Sequence, residues 1–122
     1  MSRTWTVRLP WTKPPLSLND RSHWRKKAAD TADVRRLARL FVEVQTQYAV
    51  CERVAVTLTY CPRDKRRRDA DNLVSTLKAV CDGIVDAHLV ADDTPEFMVK
   101  HMPEIGEPTN DPCLILTIEE LT

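Results

Sequence analysis

RVAVTLTYCPRDKRRRDADNLVSTLKAVCDGIV, residues 53–85, holds a strand pattern, a basic connection, an acidic pair and a helix pattern in one run. From Arg53 to Cys61 apolar and polar residues alternate, with Val54, Val56, Leu58 and Tyr60 facing one way. That is the period of a half-buried strand, and Pro62 ends it. From Asp71 onward the period changes. Leu73, Leu77, Val80, Cys81 and Ile84 recur at helical spacing. Gly83 inside that helix costs about 1 kcal/mol relative to Ala, so it marks a close packing contact.

The flanks extend the reading. Thr4–Leu9 alternates with Trp5, Val7 and Leu9 on one face, a short strand ended by Pro10. Residues 11–27 read as a loop with paired prolines and a basic end. Residues 28–48 place apolar side chains at 34, 37, 38, 41, 44 and 48, one face of a helix, with Arg35, Arg36, Arg39 and Glu43 opposite. Asp92-Asp93-Thr94-Pro95 is a turn, and Phe97–Met102 and Cys113–Ile118 read as strands. PEIGEPTNDP, residues 103–112, reads as the hairpin loop joining them. The order β-α-β-α-β-β predicts one α/β (α+β mixed) domain over residues 1–122, a mixed sheet with two helices packed on it.

A chain of 122 residues is long enough to bury a core. Its first residues lack the apolar run of a signal peptide, and no segment approaches the roughly 20 apolar residues of a membrane span, so a membrane role is not expected. Cys51, Cys61, Cys81 and Cys113 lie far apart with no CxxC pair, which favours free thiols of a cytoplasmic protein over a zinc site. The net charge of zero hides a division. Residues 1–68 carry 16 Lys/Arg against 6 Asp/Glu, and residues 69–122 carry 2 against 12. Either the first part meets a polyanion, or the two parts cancel across one folded surface.

The densest positive run, Lys65-Arg66-Arg67-Arg68, adjoins Asp69 and Asp71. A single aspartate at a helix start is explained by capping. Two of them beside cations also suit Mg²⁺, which takes a few carboxylates with water and substrate phosphate completing its shell. Asp92-Asp93 is a second acidic pair about twenty residues on. A 16-residue helix spans roughly 24 Å, so the chain must double back before the pairs could meet. Asp82 and Asp86, one turn apart, read as an exposed helix face.

Taken as a whole, Arg66-Arg67-Arg68-Asp69-x-Asp71-Asn72-Leu73, then Lys78-Ala79-x-x-Asp82, then Asp92-Asp93, resembles the RusA family of Holliday junction resolvases of bacteria and their phages. Leu9-Pro10-Trp11 with the following loop, Lys100-His101-Met102-Pro103, and Leu114-x-Leu116-Thr117-Ile118-x-Glu120 extend the resemblance over most of the chain. It implies a homodimeric endonuclease of the bacterial or phage-infected cytoplasm that resolves four-way DNA junctions in recombination and repair. It also implies Mg²⁺, with Mn²⁺ as a substitute, held by Asp69, Asp71 and Asp93, and Lys78 as the essential lysine. In the family that lysine follows the second aspartate by about one helical turn, whereas Lys78 follows Asp71 by about two. An insertion near Val74-Ser75-Thr76 accounts for the offset, and Lys78 is expected to lean back towards the acids.

Arg66, Arg67 and Arg68 are the expected contacts to the DNA backbone, with Lys13, Arg21, Arg25, Lys26 and Lys27 along a path formed by the 11–27 loop. For each of these single residues a solvated surface is the alternative. Trp11 and Trp24 read as core packing rather than base stacking. His23, His88 and His101 do not cluster with the acids. Two further classes stay open: a nucleic-acid-binding module in which the aspartates only cap a helix, and a metal-dependent nuclease acting on other branched DNA or on RNA.

Overall fold

Strand β2 (Arg53–Cys61) sits inside the sheet and organises it. The computed structural model describes residues 2–16 and 23–122. On one side β2 pairs antiparallel with β5 (Cys113–Leu121) through nine residue pairs, from Arg53 opposite Leu121 to Cys61 opposite Cys113. On the other side it takes two short parallel partners, β3 (Met98–Lys100) and β4 (Glu104–Ile105), one after the other along its length. Strand β1 (Thr4–Arg8) closes the far edge antiparallel to β5. The order is β1-β5-β2-β3, with β4 beside β2, a mixed five-stranded sheet.

Alternation along these strands decides which face is covered. Val7, Val54, Val56, Leu58, Leu114, Leu116 and Ile118 are all fully buried, while their neighbours Thr57, Thr59, Ile115 and Thr117 stay half-exposed on the other face. Two helices supply the second layer: α1 (Trp24–Thr46) and α2 (Val74–Asp86), the latter preceded by a 3-10 turn at Ala70–Leu73. Val34, Ala38 and Val42 of α1, with Leu77, Val80, Cys81 and Ile84 of α2, join the sheet residues in one core. The expected α+β architecture of sheet and two helices is the one observed. Parallel neighbours need a crossover, and α2 provides it between β2 and β3.

Three expectations are corrected. Helix α1 begins at Trp24, not residue 28, so Arg25, Lys26 and Lys27 occupy its first turn rather than a loop. The Nδ1 of His23 accepts the Arg25 N–H at 3.2 Å and supplies the cap. The buried stripe of α1 is Val34, Ala38, Val42 and Thr46, one residue in four; Val44 and Tyr48, assigned to it by periodicity, are about two-thirds exposed. Gln47 and Tyr48 end the helix in left-handed conformation, which turns the chain out of register with the stripe. Residues 103–112 do not form a hairpin loop, because β2 lies between β3 and β5 and Glu104–Ile105 add a parallel strand.

The aromatic and acidic side chains divide likewise. Trp11 packs half-buried against the core as expected, but Trp24 is 67% exposed, with the Arg25 guanidinium 5.2 Å from its ring. Asp86 is not a free surface acid: both its oxygens accept from Arg35 of α1, which lowers its pKa. The four cysteines are free thiols; three are buried and Cys61 is half-buried. Among the described residues no helix is long and apolar enough to cross a membrane.

Gly83 is where the helices touch. A Cβ there would lie 2.7 Å from the Arg35 carbonyl oxygen and 2.8 Å from the Ala38 Cβ. Gly83→Ala should therefore destabilise the fold by about 1–3 kcal/mol, the cost of overpacking, despite alanine's higher helix propensity. Urea unfolding checks this, and a variant as stable as the parent would show that the helices can part at no cost.

Candidate nucleic-acid and metal site

Beyond Cys61 the chain leaves β2 into residues 62–69, and the geometry of this segment is set by Asp64. Its carboxylate accepts the Arg66 backbone N–H at 3.1 Å and lies 3.0 Å from a terminal nitrogen of Arg68. The Arg66 N–H leads the causes that lower the Asp64 pKa, followed by the Arg68 hydrogen bond. The Arg68 guanidinium also donates to the carbonyls of Asp64 and Arg66 and stands 5.8 Å from the ring of Tyr60, the last inward-facing residue of β2. Arg68 is thus a folded-back arginine with only 23% of its side chain exposed.

The three arginines are therefore unequal. Arg66 lies 83% exposed and makes a looser 3.4 Å pair with the same Asp64. Arg67 is exposed and makes no ion pair among the described residues. Beside them opens a cavity of about 770 Å³, lined by Lys13, Pro14, Leu16, Tyr60, Arg67, Arg68, Asp69, Ala70, Asn72, Leu73 and Ile105. Its walls are apolar at Pro14, Leu16, Leu73 and Ile105, and cations stand at its edge. Lys13 from the N-terminal segment and Arg67, far apart in sequence, both belong to it. Buried Thr76 ties the N-terminal segment to α2, donating its hydroxyl to the Leu16 carbonyl at 3.2 Å.

Asp69 has a structural task. It is the N-cap of the 3-10 turn, and one of its oxygens accepts the Asp71 N–H at 3.0 Å. Among the described residues its second oxygen and both of Asp71 remain uncommitted, and both residues are exposed. Asp93 is held elsewhere. Its carboxylate accepts from the Lys100 ammonium at 2.8 Å, and the Asp93 N–H donates to Asp92 at 2.8 Å. The Lys100 bond is the main reason Asp93 lies below the usual carboxylate range. Burial works against the Lys100 charge, but Asp93, Cys81 and Asp82 together outweigh it and hold its pKa up.

Among the described residues no three of His, Cys, Asp and Glu stand together as a metal-holding group, so Asp69, Asp71 and Asp93 are not preassembled. Lys78 is exposed on α2 and pairs with no acid among the described residues; the lysine that meets a candidate acid is Lys100. Lys100-His101-Met102-Pro103 belongs to the resemblance, but nothing in its pattern points to that pairing. Lys26 pairs with Asp30 at 2.8 Å, and neither it nor Arg25 nor Lys27 lines the cavity. Arg21 lies outside the described residues. No family model matches the chain, and no curated protein matches it.

The Asp93–Lys100 pair carries a sign. A carboxylate with a depressed folded pKa adds stability above its unfolded value near 3.9, and that contribution is lost as pH falls through the folded value. In Lys100→Met the Asp93 carboxyl should titrate at higher pH than in the parent, read by NMR of its side-chain carbon. An unmoved midpoint would mean the pair is not formed in solution.

Proposed function

We propose that the chain is a RusA-type endonuclease that acts as a homodimer on four-way DNA junctions with Mg²⁺. One observation carries the reading: Lys13 and Arg67 converge on a single cavity at whose edge Asp69 lies, with the uncommitted Asp71 two residues on. Cations without acidic partners attract a phosphate backbone, and such contacts supply affinity without sequence information. The resemblance of the Arg66–Asp71 string, of Lys78 and of Asp92-Asp93 points to the same class.

The donor chemistry of Asp69 and Asp71 fits Mg²⁺, which is commonly bound by one or two carboxylates plus water and substrate phosphate. Those two residues would hold the ion. When bound, it supplies charge neutralisation at phosphorus and an acidified water. The side chains of the chain itself do the rest. Lys13 and Arg67 bind the backbone and bring it to the acids. Arg68 is locked to Asp64 and Tyr60, which keeps the segment in one shape before DNA arrives. Asp93 joins the acids only if its bond to Lys100 opens, and Lys78 remains an exposed cation for DNA running along α2. Two nicks related by two-fold symmetry require two sites, which a closed pair of chains provides.

A binding-only module is the second reading, because Asp69 already serves as a cap and Asp93 is already paired with Lys100. Incubation of a synthetic four-way junction and a matched linear duplex, with and without Mg²⁺, separates the two. Paired nicks confined to the junction and to Mg²⁺ are expected. In Asp71→Asn cleavage should fall by about 100-fold or more while junction binding persists. Junction binding without nicking at any Mg²⁺ concentration would leave the binding module as the function.

A further inference from the structure

Four free thiols are distributed over this small chain, and two of them face each other. Cys61, the last residue of β2, lies directly opposite Cys113, the first of β5. The backbone bonds around them define what kind of pair this is. Val54, Val56 and Tyr60 bond through their backbone to Phe97, His101 and Gly106, so the even residues of β2 turn their N–H and C=O groups away from β5. The odd residues therefore turn theirs towards it, and Cys61–Cys113 is a hydrogen-bonded antiparallel pair. Such pairs hold their Cα atoms about 5.5 Å apart, within the roughly 4.4–6.8 Å that a disulfide spans, and their Cβ atoms at a similar separation, so closure must draw the two strand ends together by about 1 Å. Directly opposed residues also project to the same face of the sheet.

Two neighbouring observations agree with that placement. The Cys113 thiol contributes, after burial, to raising the Cys61 pKa, which requires the two sulfurs to be close. On the other flank Gly106 leaves room: a Cβ there would lie 2.9 Å from the Cys61 Sγ. Neither remaining cysteine is so placed. Cys51 sits beneath the Arg3–Glu120 ion pair, and Cys81 is fully buried in α2.

We propose that Cys61 and Cys113 form a dithiol site that closes to an intramolecular disulfide by exchange with a low-molecular-weight disulfide. Cys61 is the more exposed and reacts first. Its thiolate attacks one sulfur of the reagent, forming a mixed disulfide and expelling one thiolate. The Cys113 thiolate then attacks the Cys61 sulfur and expels the second. Two protein thiols and one reagent disulfide thus give one protein disulfide and two reagent thiols, each thiolate taking up a proton released by a cysteine. The bond ties β5 to the end of β2, one residue before the Pro62 carbonyl that accepts from Thr109. It therefore fixes the base of the segment that carries Arg66, Arg67, Arg68 and Asp69, whatever that segment binds.

Trypsin places the four cysteines on four different peptides, with Cys61 in 54–63 and Cys113 in 101–122. The whole chain is incubated with oxidised glutathione, its remaining thiols are blocked with N-ethylmaleimide in denaturant, and the unreduced digest is weighed. One cross-link is expected, joining 54–63 to 101–122 with a mass two hydrogens below their sum, reversed by dithiothreitol. Cys51 and Cys81 should carry the maleimide. Cys61→Ser and Cys113→Ser should each abolish the link. Glutathione left on Cys61 without closure, links involving Cys51 or Cys81, links between chains, or no reaction would each overturn the proposal.

Discussion

The nine-residue ladder between β2 and β5 is the constraint on which the rest of the molecule depends. It fixes a one-residue register, and with it which side chains of both strands enter the core. Val54, Val56 and Leu58 point inward with Leu114, Leu116 and Ile118, and the helices cover that face alone. The same register sets Cys61 against Cys113. Because β2 is an inner strand, its far edge accepts β3 and β4 in parallel, and the chain must cross over through α2 to reach them. The end of β2 is consequently the place where the basic segment, the start of α2 and β4 meet.

The electrostatics follows from which charges are already spent. Asp64 takes up Arg68 and part of Arg66, Asp86 takes up Arg35, and Glu120 takes up Arg3, which holds the Glu120 pKa down at about 2. Glu120 lies at the other end of the β2–β5 ladder from Cys61, away from the basic segment. Around the cavity, Lys13 and Arg67 have no such acid among the described residues. Among the described residues three ion pairs join the cationic first part of the sequence to the acidic second part, Arg3–Glu120, Arg8–Asp111 and Arg35–Asp86, and the others lie within one part.

Strong periodicity made the main elements legible. β2, with a β-branched alternation and a proline after it, was readable from end to end, and every apolar residue assigned to α2 is buried. Gly83 was readable as a contact because a helix-interior glycine has a cost that packing must offset. Other features had no local signal. Strand β4 is two residues long and is defined by its parallel partner rather than by its own pattern. The start of α1 depends on a histidine cap, a weaker signal than Ser, Thr, Asp or Asn. At the site, proximity of Arg66, Arg67 and Arg68 to the acids in sequence suggested equal roles. Asp64, only two to four residues away, makes them unequal by capturing Arg68. Lys100 could not be matched to Asp93 from sequence, because the pairing arises where a turn and a short strand come together.

The central claim is that Lys13 and Arg67, brought together by the fold, form one phosphate-binding edge. Junction affinity measured against salt concentration tests it most directly, for the parent chain, Lys13→Gln, Arg67→Gln and the double variant, without Mg²⁺ so that no cleavage intervenes. Removing one phosphate contact should flatten the log–log slope by about 0.9, so the double variant should flatten it about twice as much as either single one. Slopes unchanged in all three variants would show that the DNA backbone does not lie at this cavity.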